Sequence, residues 1–88
     1  MTEYVWLIGE AEHGVIGVAT SILAGKQWLL DSAWATMETE VFIPQKRKYV
    51  TLKDQYGENW KKHFLSCDEK ELAYMGFLVR KMEVRKEK

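Results

Sequence analysis

Three stretches of this 88-residue chain bring chemistry-bearing side chains close together. Glu10, Glu12 and His13 adjoin one another, and two carboxylates beside an imidazole can hold a metal or move a proton. The same residues also make an ordinary polar turn, and no second ligand cluster accompanies them. His63 and Cys67 stand four apart, a spacing that shares one face of a continuous helix, where an imidazole lowers a thiol pKa. Leu65, Ser66 and Asp68 indicate that the helix ends near there, which leaves Cys67 as a small buried hydrophobe. The third stretch is basic and aromatic: Lys46, Arg47, Lys48, Lys53, Lys61 and Lys62 interleave with Tyr49, Tyr56 and Trp60. Such a pattern can follow a phosphate backbone and stack bases, or anchor a protein partner. A pI near 6.7 fits a protein partner better than a dedicated nucleic-acid binder, whose domain is strongly basic.

None of the three reads as a catalytic centre. There is no Walker loop, dinucleotide fingerprint, nucleophile elbow, zinc-finger spacing or EF-hand loop. One cysteine makes no internal disulfide, and with two distant histidines it forms no zinc set without carboxylates. The expectation is therefore a non-enzyme with no cofactor and no metal, in a reducing compartment, the cytoplasm. The start, Met1-Thr2-Glu3, is acidic and does not read as a signal peptide. Apolar runs stay far below the roughly 20 residues of a membrane span, so a soluble protein is expected.

The elements that must position these residues follow from the apolar pattern. The length makes one domain, 1–88, and 47% apolar content with eleven aromatics is enough for a small core. Tyr4-Val-Trp-Leu-Ile, apolar on both faces, reads as a strand covered on both sides or central in a sheet, and is the best candidate for the sheet's centre. A Gly-containing connection and Val15-Ile-Gly-Val-Ala complete a hairpin, in which Gly9 and Gly17 mark a bulge or a close backbone approach. Ser21 caps a helix over 21–37, with Lys26, Gln27, Asp31 and Ser32 toward solvent and Trp28 and Trp34 on its apolar stripe. With Trp6, these two tryptophans are expected in the core, and Trp60 is the one expected to be partly exposed. A short strand over 39–44 ends at Pro44, and 45–48 reads as a basic linker. Thr51 caps either one helix kinked at Gly57 or two short ones, 52–56 and 59–65; Asp68 caps another turn through Tyr74, stopped by Gly76. Residues 77–84 read as the last strand, and 85–88 as a frayed tail. The fold class is α+β: a small antiparallel sheet, the N-terminal hairpin plus the C-terminal strand, with helices packed on one face.

Charge is sorted along the chain although its formal net is zero. Residues 1–45 carry six acids and one base; residues 46–88 carry seven acids and twelve bases. Segregation of this kind points to an electrostatic partner, or to a second copy of the chain.

The opening Tyr4-Val-Trp-Leu-Ile-Gly9 with its hairpin, and the close Gly76-Phe-Leu-Val-Arg-Lys-Met-Glu-Val84, resemble short orphan proteins of bacteria and bacteriophages. Some phage products of this size are inhibitors that occupy host defence proteins or sequester nucleotide signals. The resemblance implies an inhibitor or regulator acting in the host cytoplasm. Small size, abundant aromatics, segregated charge and the missing catalytic motifs give the expected function: a non-enzymatic binding module, directed at another protein and able to form a homodimer. Its expected binding residues are Lys46, Arg47, Lys48, Tyr49, Trp60, Lys61 and Lys62. The alternative is binding of nucleic acid or a nucleotide through the same region, 46–62.

Overall fold

Apolar residues on both faces of the first strand place it in the middle of a sheet, and a computed structural model shows it there. Residues 2–85 are described, with the side chains of 3–84; the expected frayed tail lies beyond them except for Arg85, which ends the last strand. β1 (Thr2–Glu10) pairs antiparallel with β2 (Gly14–Ala19) on one side and with β5 (Phe77–Arg85) on the other. The hairpin turn is closed by the Glu10 carboxylate, which accepts from the backbone N–H of Glu12 and His13. Gly14 leaves the turn with φ of +73°, a conformation in which glycine meets no Cβ penalty. Between Ile8↔Gly17 and Gly9↔Val15 the register slips by one residue, so Ile16 is the extra residue of a bulge.

Ser21 caps α1 (Ile22–Asp31), its hydroxyl accepting from the Ala24 N–H at 3.0 Å. The helix lies close on the sheet because two glycines make room. A Cβ on Gly25 would stand 2.9 Å from Ile8 Cδ1, and one on Gly17 would stand 2.9 Å from the Trp28 ring. The expected continuation to residue 37 does not form. Ser32 hydroxyl and N–H both bond back to the Trp28 carbonyl. Ala33 then turns left-handed at φ 61°, and Ala35 reaches back to the Leu29 carbonyl and is buried. The apolar spacing at 33, 34 and 37 is helical, but burying Ala35 beneath the helix end wins over extending it.

The short strand expected over 39–44 forms, and it gains a partner strand that was not expected. β3 (Glu40–Ile43) pairs with β4 (Lys48–Thr51) as a separate two-stranded hairpin, so 45–48 is the hairpin turn and the start of a strand, not a linker. Pro44 stands just past β3, where its missing N–H removes no ladder bond. Thr51 caps α2 (Leu52–Tyr56), and Gly57 at φ 65° ends it. A 3-10 turn over Gly57–Asn59 leads into α3 (Trp60–Ser66). Asp68 caps α4 (Glu69–Tyr74), its carboxylate accepting from the Glu71 N–H at 2.9 Å, and Gly76 at φ 88° releases the chain into β5.

The core draws one fully buried side chain from each of six elements: Ile8, Leu29, Val41, Leu52, Phe64 and Leu72. Lys26, expected in solvent, is buried; its ammonium donates to the Cys67 carbonyl at 2.7 Å and so ties α1 to the end of α3. Trp6, Trp34 and Trp60 are half-buried. Trp28 is more exposed than the core position expected of it, lying at the rim against Gly17. The fold is the expected α+β arrangement, with β1 central and the helices on one face of the sheet.

Candidate functional site

Strand geometry sends successive β1 side chains to opposite faces. Ile8 stands on the covered face, paired with Gly17 on β2 and Val79 on β5, and α1 packs onto it. Val5, Leu7 and Gly9 point the other way. Across from them on β5 stand Met82, Arg80 and Leu78, and on β2 Val18 pairs with Leu7 and Val15 with Gly9. The bulge at Ile16 is what puts Val15 and Val18, three apart, on the same face.

No element among the described residues covers this second face. Val15 is 64% exposed, Val18 61%, Leu78 60% and Met82 44%. A sheet with one wet face alternates apolar inward with polar outward, whereas this sheet is apolar on both. Its only charges by strand register are Arg80, beside Leu7, and Glu3, opposite Val84. Nine-residue strands rising about 3.4 Å per residue and spaced about 4.8 Å give a footprint of roughly 300–400 Å². That is the size of the largest apolar patches on monomer surfaces, and such patches are commonly functional. Gly9 leaves a shallow depression of about 230 Å³ in this face, lined also by Leu7, Glu10, Gly14, Val15, Leu78 and Arg80.

The sequence-predicted binding residues fall on other elements. Lys46 and Arg47 form the exposed tip of the β3–β4 hairpin; Lys48 and Tyr49 begin β4. Tyr49 is widely exposed and its ring packs on Phe42 at 5.2 Å between centroids. Lys46 reaches Gln55 of α2, and Lys62 borders Tyr56 and His63, so these two bases flank the end of α2. Trp60 stands apart from them, in a cleft with Met37, Lys53, Asp54 and Glu58, and Lys61 lies 5.7 Å over its ring. Acids therefore border the basic stretch at Trp60. The apolar face was missed in the sequence; the available signal was the alternation of Leu78, Met82 and Val84 on β5.

The other chemistry-bearing groups are engaged structurally. His13 bonds to the Glu10 carboxylate and packs edge-on against Trp34. That side-chain bond, ahead of the turn N–H groups, lowers the Glu10 pKa, while burial opposes it. His63 donates to Glu71 at 2.7 Å and stacks on Tyr56 at 3.5 Å. Burial, followed by the Glu71 charge, raises the Tyr56 pKa. This Tyr56–His63–Glu71 group joins α2, α3 and α4 and borders a groove of about 400 Å³ under the β3–β4 hairpin. Cys67 is buried, its thiol donating to the Phe64 carbonyl at 3.0 Å. Burial raises its pKa to about 11, the nearby Lys26 charge only partly opposing, so it is a neutral thiol rather than a nucleophile at neutral pH. Among the described residues no three His, Cys, Asp or Glu side chains converge as a metal site, and no helix is long and apolar enough to cross a membrane. No family model, no curated protein and no solved structure matches this chain.

Proposed function

We propose that this chain is a non-enzymatic protein-binding module that docks through the open face of its three-stranded sheet, acting as an inhibitor or regulator by occupying its partner. The observation that supports this reading is the bare apolar surface of Val15, Val18, Leu78 and Met82 on a sheet whose other face buries Ile8 and Phe77 in the core. Apolar side chains held open on a rigid sheet enter a complex with little ordering cost, which is where binding free energy is retained. The exposed bases at 46–48, 61 and 62 act in this reading through long-range attraction, raising the association rate more than the lifetime of the complex.

A photo-crosslinking residue at position 78, compared with one at position 49, tests it in extract of the natural host. Adducts with a defined partner at 78, lost on Val18→Glu, are expected. Adducts formed only at 49 would move the contact to the hairpin tip and sink the sheet face. The clustered Lys46, Arg47 and Lys48 beside exposed Tyr49 favour a second reading, docking of nucleic acid at the hairpin tip. That reading requires affinity for DNA or RNA that falls steeply with salt. A flat titration removes it.

A further inference from the structure

We infer that a groove beside the β3–β4 hairpin takes the guanidinium of an arginine presented by another protein. The groove measures about 580 Å³ and lies between this hairpin, the β1–β2 turn at Ala11 and the end of α4 at Ala73, Met75 and Gly76. None of its lining residues belongs to β1, β2 or β5, so the inference is independent of the open sheet face.

Strand alternation builds the aromatic wall. Val41 of β3 turns into the core, so Glu40 and Phe42 point to the other face, opposite Thr51 and Tyr49 of β4. Phe42 packs on Tyr49 at 5.2 Å and on Tyr74 of α4 at 6.0 Å between ring centroids. Tyr49 and Tyr74, joined in this way, both line the groove. Glu38 comes from the turn before β3. The Thr36 and Thr39 hydroxyls close that turn by accepting from the N–H groups of Glu38 and Thr36.

Every charged residue lining the groove is an acid: Glu38 and Glu40. Neither carboxylate has an ion-pair partner among the described residues. By strand alternation Lys48 points to the opposite face of β4 from Tyr49. Lys70, one turn before Tyr74, borders the neighbouring groove with Gln55 and Tyr56. The rings are equally unclaimed. Lys81 lies 4.2 Å over Tyr4, and Lys61 lies 5.7 Å over Trp60. Tyr49 is more exposed than either ring, and among the described residues no cation lies over it.

Two unpaired carboxylates beside two tyrosine rings complement an organic cation. Guanidinium fits better than ammonium. It is planar, so it stacks on a tyrosine face while its N–H groups reach a carboxylate, and it is more weakly hydrated. A free small cation calls for a cleft that buries most of its surface. This groove is open, with Glu38, Glu40 and Tyr49 all exposed, and it leaves room for the residues on either side of an arginine. That favours a peptide segment of a partner protein.

Titration of the isotope-labelled full chain with N-acetyl-arginine amide, followed by amide chemical shifts, tests the site. A probe of this size should bind with a Kd on the order of 1 mM, moving the amides of Glu38, Glu40, Tyr49 and Gly76. The uncharged isostere N-acetyl-citrulline amide should leave them in place. With circular dichroism native, Glu38→Gln combined with Glu40→Gln should weaken binding roughly tenfold, and Tyr49→Leu roughly threefold, while Tyr49→Phe retains it. Equal binding of the citrulline probe, or full binding by the double variant, overturns the site. Spermidine that binds more tightly than the arginine probe and ignores Tyr49→Leu overturns the guanidinium. Extending the probe to a Gly-Arg-Gly peptide should tighten binding; a weaker peptide overturns the partner segment as its source.

Discussion

Ile8 and Leu78 belong to neighbouring strands of one sheet, on opposite faces, and truncating each to alanine should have opposite consequences. Ile8 is wholly buried beneath α1, with its Cδ1 directly under Gly25. Removing a buried aliphatic side chain of this size costs about 2–5 kcal/mol, transfer and cavity together. The close approach of α1 at Gly25 leaves little freedom for the site to collapse, so about 3–4 kcal/mol is expected. A domain of this length has roughly 4–13 kcal/mol in all. The melting temperature of Ile8→Ala should therefore fall by roughly 15–25 °C, at about 4–8 °C per kcal/mol. Leu78 is already 60% exposed in the folded chain, so folding realises less than half of the roughly 1.5–3 kcal/mol that full burial confers. Leu78→Ala should cost under about 1 kcal/mol and lower the melting temperature by only a few degrees. Urea titration at low micromolar concentration, followed by circular dichroism, measures both with an unchanged denaturant slope. Association should show the reverse order: Leu78→Glu loses the remaining apolar burial and places a carboxylate in an apolar contact, while folding barely registers it. A Leu78→Ala penalty as large as that of Ile8→Ala would show the second face to be covered in the folded protein, and the placement of the binding surface would fail with it.

Three further outcomes follow from the fold. Ala33→Gly should stabilise the chain by about 0.5–1 kcal/mol, because the left-handed φ of 61° penalises alanine by more than glycine's extra unfolded-state entropy removes; a lower chemical midpoint would refute the αL cap. Lys26→Ala should destabilise by about 2–4 kcal/mol, leaving the buried Cys67 carbonyl unpaired and an unfilled stem; Lys26→Met should restore the packing but not the carbonyl's partner, and equal losses in the two variants would count against that division. The raised Cys67 pKa favours the protonated thiol in the folded state, so its contribution is fully present below pH 9 and is lost as pH climbs toward about 11, with a slope of at most about 1.4 kcal/mol per pH unit; Cys67→Val should remove that slope, measured by denaturant titration from pH 8 to 11, and a thiol reagent should label the native protein no faster than it unfolds.

What was legible in the sequence was local. The double-sided apolar run at 4–8 placed β1 in the centre, and Gly57, Asp68 and Gly76 marked where the C-terminal helices break, each by a backbone conformation or a cap that only a few residue types supply. The end of α1 was not legible, because the residue that turns left-handed is an alanine, which carries no turn signature. β4 was hidden for a different reason: Lys48, Tyr49, Val50 and Thr51 make a strand only through the ladder that β3 offers them. Buried Lys26 depends on a carbonyl 41 residues away, a partner no local window contains. The open face is the same kind of case. Alternation in β5 showed two sets of side chains, but which set the helices would cover depended on how Gly17 and Gly25 let α1 settle against the sheet.

That last dependence bears on function. Had the open face only to meet water, threonine, lysine or glutamate at positions 15, 18, 78 and 82 would serve the sheet as well, since these side chains gain little from folding at their present exposure. Leaving them apolar exposes a patch beside the outer edge of β5, whose nine residues have β1 on one side and, among the described residues, no strand on the other. An edge and an apolar face together favour unwanted association, which natural sheets suppress with charge. Here the suppression is slight: Arg80 alone interrupts the apolar rows from Val5 to Gly9. The covered face answers to folding where Ile8 and Phe77 enter the core. Val15, Val18, Leu78 and Met82 on the open face are covered by no element among the described residues, so it is there, ahead of the basic hairpin tip, that a binding partner should first be sought.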